Sequence, residues 1–102
     1  MKILLVCAGG YSTSILMKKV RDYAAKNELD VQIDAVGANM EEEEMKRDAL
    51  NADVLMVAPQ IRYKKDEIAQ IVSIPVIAIP PMDYGAGKPE RIIQLAQDAM
   101  KG

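Results

Sequence analysis

Two short aliphatic runs constrain this chain more than any other feature: Ile3-Leu4-Leu5-Val6 and Val54-Leu55-Met56-Val57. Neither alternates with polar residues, so both faces of each must be covered. That is the condition of an inner strand in a parallel sheet. Two further runs read as edges. Val31, Ile33 and Ala35 alternate with Gln32 and Asp34, the pattern of a half-exposed strand. Val76 to Ile79 lies between Pro75 and Pro80, and proline is confined to strand ends and sheet edges because it has no N–H to donate.

Helical patterns separate the runs. Leu16, Val20, Tyr23 and Ala24 share one face of a first helix, and Lys18, Lys19, Arg21 and Lys26 take the other. Asn39 followed by Glu42 has the spacing of a capping box, and Glu41 to Glu44 then form a first turn that suits the positive end of a helix. Ile68, Ile71 and Val72 mark a short third helix. Pro89 opens a fourth, with Ile92, Ile93, Ala96, Ala99 and Met100 on its apolar side. The order β-α-β-α-β-α-β-α predicts a parallel sheet with right-handed crossovers and helices on both faces. Placing the most apolar strands inside gives the order 2-1-3-4. The expectation is an α/β fold, flavodoxin-like, forming a single three-layer domain over residues 1–102, with no repeat or linker. Its switch point falls between strands one and three, at Cys7 and Ala58, where ligands of such sheets bind.

Composition removes many chemistries from that switch point. The chain of 102 residues contains no histidine and one cysteine. It therefore has no Ser-His-Asp or Cys-His pair, no histidine-ligated zinc, no internal disulfide and no C-x-x-C redox pair. No metal or other cofactor is expected. Thirteen basic residues against 15 acidic give a net charge of −2, which offers no field for nucleic acid or for an anionic membrane surface. The first apolar run stops at Gly9-Gly10, short of a signal-peptide core. The longest apolar stretch, Ile71 to Met82, is broken by Ser73, Pro75 and Pro80-Pro81. The expectation is a reduced, cytoplasmic protein without a membrane segment.

What remains is the loop Cys7-Ala8-Gly9-Gly10-Tyr11-Ser12-Thr13-Ser14, which joins a buried strand to a helix. Small residues allow a tight turn whose N–H groups face one concavity. Ser12, Thr13 and Ser14 suit helix capping and supply hydroxyls. The start of the helix adds partial positive charge. These features together form a cradle for a phosphate. Thiols at helix N-termini ionise readily, and a thiolate attacks phosphorus without a general base. The competing reading, a cysteine that is only a small buried hydrophobe, explains neither the glycine-serine loop nor its place at the switch point.

The loop from Cys7 to Ser14 resembles the active-site loop of the IIB component of sugar phosphotransferase systems, of the lactose, cellobiose and chitobiose type. Pro59-Gln60-Ile61-Arg62-Tyr63 resembles that family's segment after the third strand. Met82-Asp83-Tyr84-Gly85 resembles its Tyr-Gly loop after the fourth, and Asn51-Ala52-Asp53 fits the approach to the third. The resemblance covers essentially the whole chain. It implies a phosphotransferase component. A phosphohistidine IIA partner would donate to Cys7 as nucleophile and carrier, and Cys7 would pass the phosphoryl group to a β-linked disaccharide, such as cellobiose, chitobiose or lactose, held by the membrane component IIC. Ala8, Gly9, Gly10, Tyr11, Ser12, Thr13 and Ser14 would bind the phosphoryl group, with Pro59, Gln60 and Tyr84 as the neighbouring wall. Gln60 has a second reading as a cap of the third-helix region, and Tyr84 as a residue that only packs its loop. Tyr11 reads as a docking residue or as a turn residue, and Lys18, Lys19 and Arg21 as a docking patch or as a solvated helix face.

Two other functions share the topology. A low-molecular-weight phosphatase or arsenate reductase needs an arginine six residues after its cysteine, and Thr13 stands there. Threonine lacks the bidentate fork that grips a phosphoryl group. Asp83 falls near the position of such an enzyme's general acid, without the Asp-Pro pattern. A flavin-binding module would need rings to stack on the isoalloxazine, and the chain has four tyrosines, no phenylalanine and no tryptophan.

Overall fold

The computed structural model describes residues 1–8, 11–39 and 41–101, with the side chains of Tyr11 and Ser12 outside that description. Strands β1 (Lys2–Cys7), β2 (Gln32–Gly37), β3 (Val54–Val57) and β4 (Val76–Ala78) form one sheet in the order β2-β1-β3-β4, every pair parallel. The inner positions belong to the two continuous aliphatic runs. The proline-flanked run and the alternating run are at the edges, as their chemistry requires.

Side chains divide by face. Ile3 and Leu5 of β1, with Val54 and Met56 of β3, meet Leu16 and Val20 of helix α1 (Tyr11–Lys26) and Ile92, Ile93 and Ala96 of helix α5 (Pro89–Lys101). On the opposite face Leu4, Val6, Leu55 and Val57 meet Met45 of helix α2 (Glu42–Ala49) and Ile68 of helix α3 (Lys65–Ile71). The result is three layers, with the period-two pleat of the inner strands feeding two separate cores.

Four details depart from expectation. Helix α2 is not opened by an Asn39 capping box: its N-cap is Glu41, with no side-chain cap bond, and Glu42, Glu43 and Glu44 fill its first turn. Three carboxylates at the positive end of a helix substitute charge–dipole attraction for a cap hydrogen bond. Second, the segment after β3 is a 3-10 helix, Pro59–Lys64, running into α3, with a kink at Ile61. Third, a short additional helix, α4 (Pro81–Ala86), stands where a loop was expected after β4. Fourth, Met100, the penultimate residue of α5, is 46 % exposed rather than part of its apolar side.

Helix α1 ends in a Schellman arrangement. The Leu29 amide reaches back to the Ala24 carbonyl at 2.8 Å and the Glu28 amide to Ala25 at 3.3 Å. Closing these bonds puts Glu28 in the left-handed region, φ 55°, where glycine is normally used because a Cβ is penalised. At the opposite end of the sheet from Cys7, the Asp53 carboxylate accepts the Lys2 amide at 2.7 Å while the Asp53 amide donates to the Lys2 carbonyl at 2.8 Å. This two-way bond aligns β3 against β1 ahead of the ladder itself.

Both features give expected outcomes in urea unfolding. Glu28→Gly raises the transition midpoint with an unchanged slope, a gain of about 0.5–1 kcal/mol from relieving the left-handed backbone. Asp53→Ala lowers it by about 1 kcal/mol, the net worth of one such hydrogen bond.

Candidate active site

Cys7 is the last residue of β1 and pairs with Gly37 of β2. Its position follows from the ladder: β1 hydrogen-bonds on both sides, and its last carbonyl accepts the Ala38 amide at 2.8 Å. The side chain is 7 % exposed and shares a cluster with Val6, Val57, Ala58 and Ile61. Its sulfur lies 3.7 Å from the Val36 carbonyl, a weak S–H contact. Ala8, the next residue, is exposed. The chain thus passes from the core to the surface within one residue of the sulfur.

Helix α1 begins at Tyr11. Ser12, Thr13 and Ser14 are accordingly inside the first turn rather than capping it. First-turn amides are those that an α-helix leaves without an intrahelical acceptor, so the helix presents N–H donors and its positive end just after Cys7. Gly9, Gly10 and the side chains of Tyr11 and Ser12, all assigned above to phosphoryl binding, lie outside the described residues. Ser14 is exposed. Thr13 is 4 % exposed, the one buried polar side chain among the described residues. Its Oγ1 is 3.0 Å from the hydroxyl of Tyr84.

The other strands deliver their chains to the same end of the sheet. After β3, the Ala58 amide donates to the Val6 carbonyl at 2.9 Å, which ties this loop to the last turn of the β1 ladder. Pro59 then opens the 3-10 helix, half-buried, and Gln60 is exposed. Ala58 is the N-cap of that segment and Lys64 that of α3, neither with a side-chain cap bond, so the capping role considered for Gln60 falls away. Tyr63 is 74 % exposed, directed away from the core.

After β4, helix α4 carries Tyr84. Its ring packs against both core clusters and therefore straddles the end of the sheet. Two devices fix α4. Gly87 caps it in the left-handed region at φ 59°, with a would-be Cβ 3.1 Å from the Lys19 Nζ, and Arg91 Nε of α5 holds the Asp83 carboxylate at 3.2 Å. Lys18 and Arg21 are likewise engaged, by Asp22 at 3.0 Å and by the Ile33 carbonyl at 2.7 Å, which is the behaviour of a solvated helix face.

The architecture thus brings Thr13 and Tyr84 into direct contact and sets Pro59 and Gln60 on the loop adjoining the Cys7 strand. Sequence reading missed α4 and the hydroxyl pair it creates. The signal was present, since Pro81 at the first turn and Gly87 just past the end are the usual asymmetry of helix termini. Asp83, the residue that a phosphatase reading needs as a proton donor, is engaged by Arg91 instead, and the arginine position of that reading holds Thr13.

Comparison with known proteins agrees with this fold. Residues 2–95 match the family described as PTS system, Lactose/Cellobiose specific IIB subunit. The oligo-beta-mannoside-specific EIIB component of Bacillus subtilis is 33 % identical, over 97 % of this chain and 95 % of that protein. The galactose-specific EIIB component of Lactococcus lactis subsp. cremoris is 32 % identical, over 96 % and 94 %. The solution structure of a cellobiose-specific phosphotransferase IIB component from Borrelia burgdorferi superposes with a TM-score of 0.79 at 33 % identity, covering 99 % of this chain and 92 % of that one. The 2-1-3-4 parallel sheet and these relatives converge: the chain belongs to the lactose/cellobiose-specific IIB family and is a phosphoryl-carrying IIB component of a sugar phosphotransferase system.

Proposed function

We propose that Cys7 is the residue that carries the phosphoryl group, within a single domain spanning residues 1–102. The observation that supports this is positional. Cys7 ends an inner strand beside the topological switch point, and α1 starts four residues later. In this reading the sulfur leaves its 3.7 Å contact with the Val36 carbonyl and attacks, as thiolate, the phosphorus of a phosphohistidine on a IIA protein. The S–P bond forms as the N–P bond breaks. The electron pair stays on the imidazole nitrogen, and the ring, protonated at its other nitrogen, departs neutral. The missing histidine of this chain is thereby supplied by its partner.

The first-turn amides and hydroxyls from Ala8 to Ser14 receive the charge, and Pro59, Gln60 and Tyr84 wall the site. Phosphoryl transfer asks a protein mainly for positioning and charge stabilisation, and phosphocysteine brings roughly −1.5 to −2 charges, as other phosphorylated side chains do. In the second step a sugar hydroxyl oxygen bound by the membrane component IIC attacks phosphorus. The S–P bond breaks, the thiolate is regenerated, and the hydroxyl proton passes to a base of that component.

The sugar in this proposal is a β-linked disaccharide such as cellobiose, chitobiose or lactose. Relatives named for oligo-beta-mannoside and for galactose are 33 % and 32 % identical to the chain. So even a spread of identity favours choice of sugar by IIC rather than by this fold. The protein works in the cytoplasm on this reading, and no helix among the described residues is long and apolar enough to cross a membrane.

Incubation with phosphoenolpyruvate, enzyme I, HPr and a IIA protein of the lactose/cellobiose class is expected to add one phosphoryl group by intact mass, and Cys7→Ser to add none. Uptake on another residue, with Cys7→Ser unaffected, sinks the assignment. With p-nitrophenyl phosphate the protein is expected to show no turnover above buffer. Robust hydrolysis that disappears in Cys7→Ser favours the phosphatase reading instead.

A further inference from the structure

Resting on the reading of Cys7 as the carrier, we propose that Tyr84 is a positioning residue for phosphoryl transfer: it donates its hydroxyl proton to Thr13 Oγ1 and so leaves the Thr13 proton for the phosphoryl group. The two hydroxyls are 3.0 Å apart, and Thr13 is 4 % exposed, so water does not compete freely for its oxygen. A threonine hydroxyl carries one proton and accepts others. In the body of a helix that proton bonds back to a carbonyl one turn earlier. Thr13, the third residue of α1, is in its first turn rather than its body. With Tyr84 as donor, the Thr13 proton is directed to an acceptor at the helix start, where the first-turn amides gather an anion. The chain Tyr84 O–H, Thr13 O–H, phosphoryl oxygen is cooperative, each bond polarising the next.

The arrangement requires Tyr84 to be held firmly, and it is. Its ring packs on both cores, and α4 is anchored by the Asp83–Arg91 pair at 3.2 Å and by the left-handed Gly87 cap. Thr13 occupies the place where a phosphatase carries arginine. A neutral hydroxyl, oriented from behind, stabilises the phosphoryl group without the permanent positive fork that assists its attack by water.

Single-turnover phosphorylation by a purified phosphohistidine IIA protein of the lactose/cellobiose class tests this. In Tyr84→Phe the rate at saturating donor is expected to fall about 3–10-fold, the worth of one hydrogen bond, while the donor concentration giving half the maximal rate is unchanged. The phosphocysteine 31P resonance is expected to move in Tyr84→Phe. Thr13→Val is expected to lose at least as much rate, Thr13→Ser to recover most of that loss, and Tyr84→Phe added to Thr13→Val to cost nothing further. A Tyr84→Phe protein with the wild-type saturating rate and 31P resonance overturns the proposal. So does a Tyr84→Phe loss that adds in full to Thr13→Val. Wild-type protein that takes up no phosphoryl group on Cys7 is a different result, because it removes the carrier reading on which this inference rests.

Discussion

The parallel pairing of β1 with two neighbours governs this molecule. With β2 on one side and β3 on the other, the first strand is hydrogen-bonded along both edges, and the chain can leave only at its end. The first and third strands then send their connections to opposite faces of the sheet, α1 to one and the 3-10 segment with α3 to the other. A crevice at that divergence follows from topology alone. Cys7 is the last residue of the first of those strands. The place of Cys7 is therefore set by the strand order before any particular side chain is considered.

The cysteine belongs to two environments at once. Its side chain sits in the cluster that includes Val6, Val57 and Ala58, while Ala8 is at the surface. Packing fixes where the sulfur starts, and the helix start determines what it meets. On the proposed reading this division accounts for the absence of a general base: the thiol is held by the core, and the histidine that donates the phosphoryl group is on another protein. In sequence the first turn of α1 offers hydroxyls rather than a guanidinium, which on the proposed reading suits a group that must be held and then passed on.

Much of this was legible in the residues. The aliphatic runs of β1 and β3 marked the inner strands because nothing but two-sided burial explains four consecutive apolar residues. The prolines around β4 marked an edge because they remove donors. The place of Cys7 at the end of β1, just ahead of a helix, was legible because a buried aliphatic run gives way there to glycine and serine. What escaped reading was local or depended on distant neighbours. Asn39 had the spacing of a cap, yet three glutamates on the dipole made a cap unnecessary. Helix α4 was hidden by its shortness, since six residues show no hydrophobic period. The Thr13–Tyr84 bond joins residues 71 positions apart, and no pattern along the chain encodes a contact that tertiary packing creates.

The rims of the sheet have a consequence of their own. β4 is three residues long and bracketed by Pro75 and Pro80. On the outer side, β2 presents Asp34, which Lys2 and Arg21 engage at 3.2 and 3.4 Å. A short, proline-bounded margin and a charged one are poor templates for a foreign strand. Encounters with other proteins are thereby steered away from backbone zippering, which is slow to undo, and toward side-chain contacts at the ends and helical faces, which release quickly. For a molecule that must visit one protein and then another, rapid parting is as necessary as recognition.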